Sequence, residues 1–90
     1  MRTVIESLSV SEVIDAETSI YPRLGEAYQA LQWWLSHEPD SGEMIDDVHF
    51  LYKQRGNLRL RMPALVVLYT FSKHEVSFLS VLVRLPEHSS

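Results

Sequence analysis

The hydrophobic residues of this 90-residue chain change their period once, close to Asp47, and that switch limits what the chain can fold into. Before it they recur every three or four residues, as helices need. After it they alternate or run together, as strands do. Leu24, Ala27, Tyr28, Leu31, Trp34 and Leu35 fall within about 120° of one another at 100° per residue, which predicts a core-facing stripe on a helix from Pro22 to Ser36. On the same wheel Trp33 points away, beside Glu26 and Gln29. An earlier helix from Val10 to about Ser19 carries Val10, Val13, Ile14 and Ile20. Ser9 stands three residues before Glu12 there, the spacing of a capping box. Tyr21-Pro22 divides the two helices, with Pro22 suited to the first position of the second. Ahead of both, Thr3 to Leu8 reads as a strand with Val4 and Leu8 on one side and Ile5 on the other.

His37 to Glu43 (HEPDSGE) is turn chemistry, and strands follow it. Val48 to Lys53 alternates. Leu58 to Met62 (LRLRM) does too, which sets Arg59 and Arg61 on one face and Leu58, Leu60 and Met62 on the other. Gly56-Asn57 and Met62-Pro63-Ala64 are the intervening turns. Leu65 to Phe71 is apolar on both faces, so it belongs in the middle of a sheet. Ser72 to Glu75 is a hairpin loop, and Val76 to Arg84 is the last strand. The predicted class is α+β: an N-terminal strand, a two-helix hairpin, then an antiparallel meander of three to four strands with the helices on one face. Residues 1–86 form one domain and residues 87–90 a tail.

Cysteine is absent, which excludes disulfide frameworks, cysteine-type zinc sites and thiol catalysis. The longest apolar stretch, Ala64 to Tyr69, has strand length and is far short of a membrane helix. The N-terminus MRTVIESLSV fits neither a signal nor a transit peptide, and the expected compartment is the cytoplasm. Charge is divided unevenly. Residues 1–47 hold Arg2 and Arg23 against ten carboxylates, while residues 48–90 hold Lys53, Arg55, Arg59, Arg61, Lys73 and Arg84 against Glu75 and Glu87. Such asymmetry points to a basic face for a polyanion. The competing reading folds the acidic half over the basic half, so that each neutralises the other. Asp46, Asp47 and His49 are metal-capable types, but their spacing matches no established site, so no metal and no cofactor is expected.

The order of elements, the helix-ending Pro39-x-x-Gly42, the hairpin Arg61–Tyr69 (RMPALVVLY) and the closing strand Phe78–Arg84 (FLSVLVR) together resemble the RelE/ParE superfamily of bacterial type II toxins. The resemblance covers nearly the whole chain, from TVIESL to VLVRLP. Two positions depart from the family pattern: Val66 stands where the family has an arginine three residues before the hairpin tyrosine, and Pro63 where it has the turn glycine. The resemblance implies a toxin held by a cognate antitoxin. RelE-like members use basic sheet residues, a terminal arginine and a tyrosine or histidine to cleave ribosome-bound mRNA. ParE-like members, which often lack those residues, poison DNA gyrase, and the run Val66–Tyr69 is nearer to them in character. A third possibility is a domesticated member kept for protein association.

Metal-independent RNA cleavage requires a base for the 2′-hydroxyl, cations on the phosphorane-like transition state and an acid for the leaving oxygen. The candidates are Arg61 and Arg84 as cations, Lys53 as base through a pKa lowered by like charges, and His88 or His49 as acid. Lys53, Arg55, Arg59, Arg61 and Arg84 would together grip the RNA backbone. The alternative is an ordinary solvent face of an amphipathic strand. Trp33, a large aromatic on a polar helix face, is the candidate anchor for an antitoxin or for a second copy in a homodimer, unless the N-terminal helix folds back over it.

Overall fold

The computed structural model describes residues 1–85. Its element order is β1 (Thr3–Glu6), α1 (Leu8–Thr18), α2 (Leu24–His37), β2 (Glu43–Met44), β3 (Phe50–Gln54), β4 (Ala64–Phe71) and β5 (Glu75–Arg84), with a 3-10 turn at Pro39–Ser41 between α2 and β2. The class is α+β, one strand and two helices followed by the rest of a mixed five-stranded sheet in the order β1-β5-β4-β3-β2. β2 to β5 pair antiparallel with their chain neighbours, whereas β1 crosses under the helices and pairs parallel to β5. Among the described residues no helix is long and apolar enough to cross a membrane.

β4 is the third of the five strands, as its two apolar faces require. Its Leu65, Val67 and Tyr69 are wholly buried toward the helices, while Val66, Leu68 and Thr70 alternate with them on the open face. Leu24, Ala27, Leu31 and Leu35 of α2 and Val10 of α1 close the core from above. In β5 the alternation skips once. Leu68 pairs with Ser80 and Tyr69 with Phe78, so Leu79 has no partner. This bulge lets Val76, Phe78 and Val81 all face the core.

Four sequence expectations need correction. Helix α1 begins at Leu8, and its cap is Ser7, whose hydroxyl accepts from the Val10 amide at 3.2 Å. The same hydroxyl donates to the carbonyl of the bulged Leu79, also at 3.2 Å. Ser7 therefore joins helix start to sheet irregularity, and Ser9 lies inside the helix. The second helix starts at Leu24 rather than Pro22, and Arg23 fixes the approach by donating to the Leu60 carbonyl at 2.9 Å.

Leu58 to Met62 is not a strand. The segment is a turn closed by paired Asn57 and Met62 backbone bonds of 2.9 Å, with the Asn57 side chain accepting from the Leu60 amide at 3.2 Å. Arg61 completes the reversal in the left-handed region at φ 56°, a conformation that glycine takes more cheaply. Trp34, finally, is 40% exposed instead of lying in the core stripe. Helix α2 buries Ser36, whose carbonyl accepts from the Arg2 amide of the β1 approach at 3.0 Å. That contact rolls the buried face toward Ser36, about 140° round from Leu31, and leaves Trp34 at the opposite margin.

Pro39, Gly42 and Tyr69 turn out to be one device. The Tyr69 hydroxyl donates to the Pro39 carbonyl at 2.6 Å and accepts from the Gly42 amide at 3.0 Å. A Cβ on Gly42 would stand 2.5 Å from that hydroxyl and 2.9 Å from the Leu51 carbonyl, so only glycine lets the loop close on the tyrosine.

Candidate nucleic-acid interface

The helices cover one face of the sheet, and Lys53, Arg55, Arg59, Arg61 and Arg84 gather at one end of it, while Lys73 sits at the other end in the β4–β5 hairpin. Lys53 stands opposite Val66, which stands opposite Leu82. Arg84 stands opposite Ala64. Lys53 and Arg84 thus share the open face across two strand spacings, about 12 Å apart along the backbone grid. Arg55 lies just beyond β3 at this end, and the turn carrying Arg59 and Arg61 caps it. All five side chains are exposed. Arg59 and Arg61 do not share a strand face, because their segment is the turn described above.

Arg61 leans to the helix side of this rim. It lines a cavity of about 540 Å³ together with Ile20, Tyr21, Pro22, Arg23, Leu58 and Pro63. Arg23 in the same wall is already engaged with Glu26 at 2.6 Å. Lys53 has apolar neighbours across the sheet, and Arg55, two residues along, is its nearest cation by register. His88 lies outside the described residues. His49 sits at the other end of β3, about 13 Å from Lys53 along the strand. Its ring nitrogen Nδ1 is 2.8 Å from Asp46, which also accepts from the Val48 and His49 amides at 2.9 and 2.8 Å. The Val48 amide, followed by His49, holds the Asp46 carboxyl below its usual range. Asp46 is thereby occupied in shaping the β2–β3 turn.

Charge neutralisation within the molecule would require the acidic half to meet these cations. Among the described residues, none of Lys53, Arg55, Arg59, Arg61, Lys73 and Arg84 forms an ion pair. The two ionic contacts are Arg23–Glu26 and His49–Asp46. The basic rim therefore faces solvent, where a phosphate backbone can reach it.

The two tyrosines nearest the core are structural. Burial pushes the Tyr69 phenol up, offset in part by the Gly42 amide. Burial, followed by the bond to Glu6, pushes Tyr28 up further. Neither faces the rim. Trp33 is 60% exposed and stacks on His37 with ring centroids 4.2 Å apart, so α1 does not fold over it. It walls a second groove of about 420 Å³ with Met1, Arg2, Thr3, Val4, Gln32 and Ser36, on the β1 side of the molecule and away from the cations. The sequence reading missed the pairing of β1 with β5 that creates this groove.

No protein-family model matches the chain, and neither a curated protein nor a solved structure matches it significantly.

Proposed function

We propose that this chain is the toxin-like component of a bacterial type II toxin–antitoxin pair, acting in the cytoplasm on ribosome-bound mRNA as RelE-like proteins do. The observation that carries the reading is the solvent-facing rim of five cations, without carboxylate partners among the described residues, at one end of the sheet. Strand, two helices and then a run of antiparallel strands is the order that the RelE/ParE resemblance implies, and the Pro39–Gly42–Tyr69 device unites two of its motifs in one contact. In this reading Arg84 grips a phosphate on the open face beside Lys53, while Arg55, Arg59 and Arg61 extend the grip round the end. Arg61 and Arg84 would offset charge on the transition state, Lys53 in its neutral form would take the 2′-hydroxyl proton, and solvent water would protonate the leaving 5′ oxygen. A cognate antitoxin would hold the protein inactive.

A second reading follows from the apolar row beside those cations. Val66, Leu68 and Leu82 occupy the middle of the open face, which suits a protein partner such as gyrase better than an RNA backbone. Arrest of a purified translation system separates the two. Arg61→Ala and Arg84→Ala should each reduce cleavage of ribosome-bound message at least about tenfold, the equivalent of one lost charge-assisted bond. RNA binding should fall with salt at a slope near −0.7 per phosphate neutralised. Translation arrest that persists in both variants refutes the nuclease reading. No effect on translation, together with inhibited DNA supercoiling, would leave the gyrase reading.

A further inference from the structure

β1 is an edge strand with an unused row of backbone groups. The Thr3 amide donates to the His74 carbonyl at 2.9 Å and the Ser7 amide to the Phe78 carbonyl at 3.1 Å. Alternation along a strand then turns the amides and carbonyls of Val4 and Glu6 outward, away from β5. Natural edges are blunted by lysine, proline, a bulge, shortness or an inward-pointing charge; Thr3–Glu6 has no lysine, proline or bulge, and its shortness and Glu6 are its protection. Its one charge, Glu6, is turned to the inner face, where it accepts from the Tyr28 hydroxyl.

One pairing uses only the free groups. If two copies lie antiparallel with Ile5 on the two-fold axis, Val4 of each exchanges both backbone bonds with Glu6 of the other, which makes four in all. Ile5, 41% exposed, meets its own copy on the open face. Leu8, 75% exposed at the start of α1, comes beside Arg2 of the other copy, at the groove walled by Trp33. The two charges beside the edge are engaged within the molecule: Arg2 donates to the Ser72 carbonyl at 2.7 Å and lies over the Phe71 ring, and Glu6 accepts from Tyr28. Hydrogen bonding and apolar surface agree on this single register.

We propose that the β1 edge is a self-association surface, at which a second copy of this chain pairs antiparallel about Ile5 to make one continuous sheet. The test uses sedimentation equilibrium of the whole chain. The wild type should dimerise, and the Val4 and Glu6 amides should become protected from exchange as concentration rises. Ile5→Lys and Ile5→Glu each place like charges face to face at the axis and should weaken the dimer at least about tenfold. Because Ile5 is outside the core, both variants should keep the wild-type melting temperature at concentrations where the wild type is monomeric. An equimolar mixture of the two should dimerise again, since only a two-fold at residue 5 sets Lys against Glu. A wild type that stays monomeric to about 1 mM, a dimer indifferent to both substitutions, or variants that the mixture does not rescue would each overturn the proposal.

Discussion

Removing one oxygen atom tests how the loop after α2 is held. In Tyr69→Phe the ring still fills its fully buried site, but the Pro39 carbonyl and the Gly42 amide lose their shared partner. Pro39 is buried and Gly42 partly so, which keeps water from replacing the hydroxyl freely. Each buried group left unpaired costs about 1–3 kcal/mol, so the pair should cost about 3 kcal/mol. That is a large part of the roughly 5–14 kcal/mol available to a domain of this size. It should lower the melting temperature by roughly 12–24 °C. Tyr52→Phe is the control, since among the described residues the Tyr52 hydroxyl makes no hydrogen bond, and it should change stability by less than about 0.5 kcal/mol. Urea unfolding with an unchanged slope gives the numbers directly. A second arm checks the geometry. Gly42→Ala drives a Cβ to within 2.5 Å of the Tyr69 hydroxyl, a clash that Tyr69→Phe removes, although the Leu51 carbonyl at 2.9 Å remains. The two substitutions should therefore be non-additive by about 1 kcal/mol or more. A loss below about 1 kcal/mol in Tyr69→Phe, or strict additivity with Gly42→Ala, would refute the device.

Three further outcomes are expected. Ser7→Ala should cost about 1 kcal/mol, because it removes both the α1 cap and the donor to the Leu79 carbonyl, whereas Ser9→Ala should be nearly neutral; denaturant midpoints of the two variants decide where the helix begins. Arg61→Gly should raise stability by about 0.5–1 kcal/mol in the same assay, since glycine takes the φ of 56° without a Cβ penalty, while weakening RNA binding through the lost guanidinium. Tyr28 and Tyr69 titrate above the ordinary value of 10.0, mainly through burial, so the neutral phenols favour the folded state. Their contribution is complete below pH 10.0 and declines as pH rises through it, because the unfolded chain ionises first. Urea midpoints should accordingly hold level up to about pH 10 and fall above it, with tyrosinate absorbance rising on unfolding.

What could be read from the sequence was whatever repeats along a single element. The stripe Leu24–Leu35 and the two-faced run Leu65–Phe71 are local periodicities, and they gave the helix, the central strand and the α+β class. Events that need two distant segments were hidden. Ser9 with Glu12 makes a capping box on paper, but Ser7 is the cap because the bulged Leu79, distant in sequence, also needs its hydroxyl. LRLRM alternates like a strand, yet Asn57 and Met62 close it into a turn, and alternation over five residues cannot tell the two apart. For the site, the charge split near Asp47 indicated that the cations would be gathered. It could not say that Arg61 would lean toward the α1–α2 connection or that His49 would serve Asp46 at the far end of β3.

The strand order makes the two proposed surfaces independent, and this can be checked. β1 lies at one edge of the sheet and pairs with β5 only from Glu75 to Phe78. Arg84 is at the other end of β5, seven residues beyond Ser77, the partner of Ile5, or about 20 Å along the strand. Lys53 is a further two strand spacings across. Antiparallel pairing at Ile5 would therefore send the two basic rims in opposite directions, about 40 Å apart, with neither covered by the second copy. Ile5→Lys should then give a monomer that binds RNA with wild-type affinity per chain and an unchanged salt slope. Conversely, Lys53→Ala with Arg84→Ala should reduce RNA binding and leave the association constant alone. If Ile5→Lys abolished RNA binding as well, each RNA would have to contact both copies. The rims would then have to lie on the same side of the two-fold axis, which this register forbids.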